Sequence, residues 1–186
     1  MDEWKLPWAG GCRCDALRFE INAPPLLAGV CHCRGCQKMT AGAFSTTLTV
    51  PSAGFALTQG EAVIGGLHGD DVHHYHCGRC LSWVFTRPEP DMGFINVRAT
   101  LLDEAGWFVP FVETQTAEKL PWVTTPAERS YERFPPFEEW QGLSEEYAQR
   151  GARPRSPTLR ASEDQSGSFS ASADQAPKLA TTNGTT

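Results

Sequence analysis

The chain has 186 residues, 40% of them hydrophobic and 10% aromatic, which suffices for one domain with a core and excludes two large domains. Its formal net charge of −6 argues against a general phosphate-binding surface, so no nucleic-acid partner is expected. The sequence has no run of about 18 apolar residues and no secretory signal at its start, which predicts a soluble, cytoplasmic protein without a membrane partner.

The chain before residue 151 is predicted to form mostly short strands. Leu17, Phe19 and Ile21 alternate with polar residues, which is the two-residue period of a half-buried strand. Further strands are predicted at 44–50, 55–59, 72–76, 81–86, 94–102 and 107–112. Turn residues separate them, and those at 103–106 predict a hairpin between the last two strands. The pattern indicates a mainly β fold.

One or two short helices complete the predicted domain. The first covers residues 34–41, and the second covers residues 136–150, where apolar residues recur at helical spacing and Gly151 can end the helix. Residues 151–186 are rich in small and polar side chains and are predicted to be a disordered tail. The predicted organisation is a domain over residues 1–150 and a tail over residues 151–186, with a partner-binding role for the tail left open.

The seven cysteines fall into two sets, and clustered cysteines in a reducing compartment indicate metal ligands more readily than disulfides. The first set pairs Cys12 and Cys14 with a distant turn that carries Cys77 and Cys80. Glycines at positions 10 and 11 are predicted to supply the bend that brings the first two sulfurs together. Four such ligands predict a closed, structural zinc site, with buried free cysteines as the alternative.

The second set, Cys31, Cys33 and Cys36, offers three thiolates in one short segment. A zinc ion held by three ligands keeps a fourth position open for chemistry, and three anionic ligands suit the capture of a thiol better than the activation of water. Two alternatives remain open for this set. It could belong to an iron–sulfur cluster, or it could be a second structural site completed by one of the residues His32, His68, His73, His74 or His76. The histidines near position 74 are otherwise expected to line a pocket rim or the surface.

This arrangement resembles the glutathione-dependent formaldehyde-activating enzyme family, which also includes centromere protein V. The resemblance covers about residues 8 to 125. It rests on Gly10-Gly11-Cys12-x-Cys14, Cys31-His32-Cys33-x-x-Cys36-Gln37-Lys38, Gly42-Ala43-Phe44, Cys77-x-x-Cys80 and Lys119-Leu120-Pro121-Trp122. The chain departs from the family where Asp15 replaces a usual glycine and where Leu81-Ser82 replaces a usual Gly-Ser.

The resemblance implies a β-tent fold and two zinc ions per chain. One zinc would be structural, on the first cysteine set, and the other catalytic, on the second set. The implied activity is that of a carbon–sulfur lyase that adds glutathione to formaldehyde and gives S-(hydroxymethyl)glutathione, so the expected partners are a small thiol and an aldehyde. A non-enzymatic, zinc-stabilised protein-interaction module is the alternative.

Substrate-binding residues are less well defined by the sequence. His32 and Lys38 are candidates for a general base because they lie close to the second cysteine set along the chain. The possible contacts for substrate carboxylates are Arg34, Gln37, Lys38, Arg79 and Arg98.

Overall fold

The computed structural model describes residues 4–67 and 69–154, and the predicted mainly β class is confirmed. The strands are β1 (Trp8–Gly11), β2 (Arg18–Ile21), β3 (Leu27–Cys31), β4 (Ser45–Pro51), β5 (Phe55–Gln59), β6 (Ala62–Gly65), β7 (Val72–Cys77), β8 (Trp83–Pro88), β9 (Phe94–Val97), β10 (Val112–Thr114) and β11 (Arg129–Ser130). The α-helices are α1 (Arg34–Thr40) and α2 (Trp140–Arg150). Single turns of 3-10 helix lie at Ser52–Gly54, Ala99–Leu101, Ala105–Trp107, Thr116–Glu118 and Phe137–Glu139.

The strands form two sheets. The smaller sheet has the order β1-β2-β5, and the larger has the order β11-β10-β3-β4-β9-β8-β7-β6. The pairs are antiparallel except that β10 runs parallel to β3 and to β11. Strand β3, which ends at Cys31, therefore has a hydrogen-bonded neighbour on each side, and its end is held in place by both.

The hydrophobic core lies between the two sheets. In β4 and β9 alternate residues are fully buried toward this core, namely Leu48, Val50, Ile95 and Val97. Phe55 connects the sheets, since its ring centroid lies 5.5 Å from that of Phe19 and 4.9 Å from that of Phe85. Full burial of a leucine, valine or isoleucine side chain contributes about 1.5–3 kcal/mol. The opposite face of the larger sheet lines a cleft.

The predicted strand at 107–112 and the hairpin before it are wrong. Strand β9 ends at Val97, and 3-10 turns at Ala99–Leu101 and Ala105–Trp107 carry the chain across to β10. Apolar residues of this segment pack against other parts of the core instead of forming a strand. The ring centroid of Trp107, for example, lies 4.7 Å from that of Trp8. Strand β10 then pairs with β3 and not with β9.

The two helices lie where the sequence predicts them. Helix α2 begins at Trp140, after the 3-10 turn at its predicted start, and buries Leu143 and Tyr147. Among the described residues, neither helix has the length and hydrophobicity needed to cross a membrane. Residues 155–186 of the predicted tail lie outside the described residues, so its disorder stays a prediction, as does the division of the chain at residue 150.

Candidate metal centres and the adjoining cleft

The structure brings the first cysteine set together. The sulfur atoms of Cys12, Cys14, Cys77 and Cys80 all lie within 4.8 Å of one another. The sulfur of Cys14 is 3.6 Å from that of Cys12 and 3.9 Å from that of Cys77. A tetrahedral zinc ion with bonds of about 2.3 Å requires sulfurs roughly 3.8 Å apart. The number, type and spacing of these ligands therefore fit a closed zinc site.

Each cysteine pair of this group sits in a tight turn that ends in a left-handed residue. The backbone N–H of Asp15 donates to the carbonyl of Cys12 at 3.1 Å, and that of Leu81 donates to the carbonyl of Cys77 at 3.0 Å. The φ angles of Asp15 and Leu81 are 56° and 59°. These are the two positions at which the chain departs from the glycine usual in the family it resembles. The turn is therefore formed without glycine, at a backbone cost of about 1–2 kcal/mol for each residue.

The glycines before Cys12 have a different role from the one predicted. Gly10 and Gly11 are regular residues of β1, and the bend falls after Cys12. A Cβ atom on Gly10 would lie 2.4 Å from Cζ of Phe19 and 2.6 Å from the carbonyl oxygen of Leu101. Glycine at this position thus permits close packing of β1 on its neighbours.

Further hydrogen bonds surround the sulfurs of this group. The backbone N–H groups of Leu17 and Arg79 each donate to a cysteine sulfur at 3.4 Å, that of Cys12 and that of Cys77 respectively. The hydroxyl of Ser82 lies 3.2 Å from the sulfur of Cys80, and this hydrogen bond lowers the pKa of Cys80 to about 5. Arg79 lies in this turn and not in the cleft described below.

The second cysteine set also converges, at the junction of β3 and α1. Cys31 is the last residue of β3, Cys33 is the N-cap of α1, and Cys36 lies in its first turn. Their three sulfurs lie within 4.8 Å of one another. The backbone N–H of Cys36 donates to the sulfur of Cys33 at 3.3 Å, so the same thiol caps the helix.

The electrostatics of this group favour a bound cation. A hydrogen bond from Cys36 lowers the pKa of Cys31 to about 5, and the same interaction with Cys31 raises the pKa of Cys36. The Cys31 thiolate thus opposes ionisation of Cys33 and Cys36, and a divalent ion would relieve this opposition. No fourth Cys, His, Asp or Glu atom joins the group within the part of the chain that the structure describes. His68 lies outside that part.

His32 lies between Cys31 and Cys33 in the sequence, but its side chain forms a hydrogen bond with Glu113. Its side chain is fully buried, and Nε2 donates to Oε2 of Glu113 at 3.1 Å. The same oxygen accepts from Nζ of Lys119 and from Oγ1 of Thr125, both at 2.7 Å. Burial would raise the pKa of Glu113, but these hydrogen bonds, with one from Ser130, lower it to about 2. His32 is therefore held as a hydrogen-bond donor inside the protein, and the geometry does not support its role as a general base.

Helix α1 carries three of the predicted substrate contacts, and all three point elsewhere. Gln37 is buried and donates from Nε2 to the carbonyls of His32 at 2.5 Å and Glu118 at 2.9 Å, which ties the helix to the cysteine segment. Arg34 is exposed and donates from Nη1 to Oε1 of Gln37 at 2.9 Å. Lys38 is also exposed. None of these side chains lines the cleft.

A cleft of about 280 Å³ opens beside the second cysteine set, on the face of the larger sheet that points away from the core. Alternate residues of neighbouring strands line it, as the two-residue period of a strand requires. They include Gly29, Cys31, Ser45, Thr47, Thr49, His74, Thr86, Asn96 and Thr114. Its other polar and aromatic lining residues are Cys36, Trp83, Arg98, Phe134 and Trp140. A larger cavity of about 440 Å³ lies apart from both cysteine sets, between α2 and Arg129.

Arg98, one of the predicted substrate contacts, is the one that enters the cleft. It is only 6% exposed, and its guanidinium carbon lies 4.1 Å from the ring centroid of Trp83. Nη2 donates to the carbonyl of Asn96 at 3.1 Å. Burial lowers the pKa of Arg98 to about 10, against the opposing effect of the Cys36 and Cys31 sulfurs, so the side chain is still a cation at neutral pH.

Three residues that line the cleft are joined by hydrogen bonds. The indole Nε1 of Trp83 donates to Oγ1 of Thr86 at 3.2 Å, and Oγ1 lies 3.0 Å from Nδ1 of His74. Because the hydroxyl oxygen already accepts from Trp83, its own proton is available to donate to Nδ1. His74 thus lines the pocket, in agreement with its predicted place.

The fold and the two cysteine groups define a mainly β protein with two candidate metal centres, one closed by four sulfurs and one with three sulfurs beside a cleft. The sequence model of the glutathione-dependent formaldehyde-activating enzyme family matches residues 7–118, more than half of the chain. The chain therefore belongs to this family, which confirms the resemblance. A solved structure of a Rhodobacter sphaeroides protein is similar to this chain with a TM-score of 0.44 and 17% identity, over 52% of this chain and 88% of that chain.

Proposed function

We propose that the protein is a zinc-dependent carbon–sulfur lyase that adds a thiol of the glutathione type to formaldehyde or a similar aldehyde. The family supports a glutathione-dependent, formaldehyde-activating function in general. The observation that carries the proposal is the convergence of three thiols beside a cleft that Cys31 and Cys36 line, without a fourth described ligand.

The two cysteine groups would take different parts. The group of Cys12, Cys14, Cys77 and Cys80 has four ligands and contributes none of them to the cleft lining, which suits a structural zinc. The group of Cys31, Cys33 and Cys36 would hold the catalytic zinc. A zinc ion with three protein ligands supplies an open position that lowers the pKa of an incoming thiol.

The reaction itself is an addition without oxidation or reduction. The substrate thiol loses its proton, and its sulfur forms a bond to the carbonyl carbon while the carbonyl π electrons move to oxygen. That oxygen then takes up a proton, so the atoms of both substrates are retained in the product. The chain contributes a walled cleft that orients the thiol, with the hydroxyls of Thr47 and Thr49 along its floor.

Cys33→Ser tests the proposal with little structural disturbance. Serine is a strong N-cap, so the variant keeps the cap of α1 while it removes a thiolate ligand. We expect the variant to lose about half of the bound zinc and the zinc-dependent formation of S-(hydroxymethyl)glutathione, with an unchanged circular dichroism spectrum. Retention of both metal and turnover would contradict the mechanism.

The unmodified protein provides the second half of this test. If the zinc-loaded chain does not accelerate the reaction of glutathione or other thiols with aldehydes above the uncatalysed rate, the alternative of a non-enzymatic interaction module is correct.

A further inference from the structure

Arg98 carries a buried charge that no described side chain neutralises through an ion pair. Ion pairs elsewhere in the described chain hold Arg18, His32, Lys119, Arg129 and Arg150, whereas Nε of Arg98 has no hydrogen-bond partner. A buried charge is costly unless it is paired, so a cation held in this way is suited to an anion that binds from outside the chain.

The cleft lining offers that anion no other lysine or arginine. Of the residues that line it, Arg98 is the one lysine, arginine, aspartate or glutamate within the described part of the chain. The remaining polar lining consists of hydroxyls, an amide, an imidazole and the sulfurs of Cys31 and Cys36. The cleft therefore favours a ligand that carries a negatively charged group next to Arg98.

The sheet register fixes where that place is relative to the three cysteines. Gly29 of β3 pairs with Thr47 of β4, and the next residue of β4, Leu48, pairs with Val97, which directly precedes Arg98. Arg98 thus lies two strands from β3, about 10 Å across the sheet, with Cys31 two residues further along that strand. A thiol whose sulfur lies at the cysteine group must extend toward Arg98 to fill the cleft.

The orientation of the guanidinium group favours a carboxylate over a second sulfur. Its flat face is covered by Trp83, so the N–H groups along its edge remain for a ligand. One of them, on Nη2, already bonds the carbonyl of Asn96, while Nε is unused. An edge with parallel N–H donors matches the two oxygens of a carboxylate, a fit that a single sulfur does not provide.

We propose that Arg98 binds a carboxylate of the thiol substrate, and that this contact makes the cleft selective for thiols with a carboxylate a few bonds from the sulfur. This inference rests on the proposed function. It narrows the substrate class and gives Arg98 a specificity role that is separate from the capture of sulfur.

Binding of two matched thiols tests the inference without any aldehyde. Calorimetric titration of the zinc-loaded protein with 3-mercaptopropionate and with 3-mercaptopropionamide compares ligands that differ in charge at the carboxyl end. We expect the acid to bind about 10- to 100-fold more tightly than the amide. Arg98→Met should remove this preference by weakening the acid alone, and Arg98→Lys should keep part of it.

Arg87→Met is the matched control. It removes the same charge from β8, and it follows Thr86, so alternation places its side chain on the other face of the sheet, outside the cleft lining. This variant should keep the full preference for the acid. Zinc content is measured for every variant.

Each other outcome has a definite meaning. Equal binding of the two thiols to the unmodified protein would overturn the inference and leave the proposed function intact, and it requires no variant to fold. An equal loss of both thiols in Arg98→Met would show that Arg98 acts on the cysteine group and not on the carboxylate. Binding of neither thiol would overturn the proposed function together with the inference.

Discussion

Nε2 of His32 lies 3.1 Å from Oε2 of Glu113, and this contact joins the segment between two candidate zinc ligands to strand β10. Glu113 stands opposite Val30 in the parallel pair of β10 with β3. The Glu113 carboxylate also accepts a hydrogen bond from Lys119, the first residue of the Lys119-Leu120-Pro121-Trp122 segment. A distant part of the chain thereby fixes the position of the cysteine segment.

Glu113→Gln should weaken this fixation. The change removes the carboxylate charge that pairs with Lys119 and accepts the hydrogen bond of His32. We expect the free energy of unfolding at pH 7 to fall by about 1–3 kcal/mol, measured with urea, and zinc to leave the three-cysteine group more readily. The pKa of Glu113 is lowered to about 2 from 4.5, so this stabilisation is fully present above pH 4.5 and is lost as the pH falls toward 2.

The control for this variant is Glu139→Gln. Glu139 accepts a hydrogen bond from the hydroxyl of Tyr131 in an exposed position. Its change should alter the free energy of unfolding by no more than about 0.5 kcal/mol. If both variants changed the free energy of unfolding equally, the buried hydrogen bonds of Glu113 would contribute no more to stability than the exposed one of Glu139.

Leu81→Gly should stabilise the protein. Leu81 has a φ of 59° and a side chain that is 69% exposed, so glycine removes backbone strain and loses little packing. We expect a gain of about 0.5–1 kcal/mol in the free energy of unfolding of the zinc-loaded protein. In the control Leu57→Gly, in strand β5 and 39% exposed, the same replacement should instead cost about 1 kcal/mol. A loss of stability in both variants would contradict the strain at Leu81.

The sequence predicts the cysteine groups well because their information is local. Short spacings place Cys31, Cys33 and Cys36 in one segment, and the turn from Cys77 to Cys80 forms as predicted. The two departures from the family, Asp15 and Leu81, proved to be the left-handed ends of the two turns. Their φ angles of 56° and 59° close the two turns that carry neighbouring sulfurs.

Contacts between distant segments were beyond the reach of the sequence pattern. Glu113 was not among the predicted residues, because its link to His32 depends on the parallel pairing of β10 with β3. The same pairing explains why the strand predicted at 107–112 was wrong. Strand β3 was missed because it is buried with little alternation, and Arg98 could not be separated from four other candidates until the strand order was known.

Cys80→Ser should damage the fold far more than Cys33→Ser does. Cys80 belongs to the four-cysteine group that links the start of the chain to the turn between β7 and β8. Cys33 belongs to a group whose three members all lie in the short segment between the end of β3 and the first turn of α1. Because binding of a structural zinc is coupled to folding, we expect Cys80→Ser to lower the melting temperature by more than 10 °C, roughly the effect of several kcal/mol. Differential scanning calorimetry of both variants, with zinc counted, measures this. Similar melting temperatures would contradict the division into structural and catalytic sites.

Gly10→Ala should be strongly destabilising even though it adds a single methyl group. The new Cβ atom would lie 2.4 Å from Cζ of Phe19 and 2.6 Å from the backbone oxygen of Leu101, so β1 must shift away from β2. Overpacking of this kind costs about 1–3 kcal/mol. In the control Gly106→Ala, the added Cβ atom meets nothing within 4 Å, and the free energy of unfolding should be unchanged or slightly higher. Urea unfolding of both variants measures this difference. If Gly10→Ala is as stable as Gly106→Ala, close packing of β1 is not the reason for glycine at position 10.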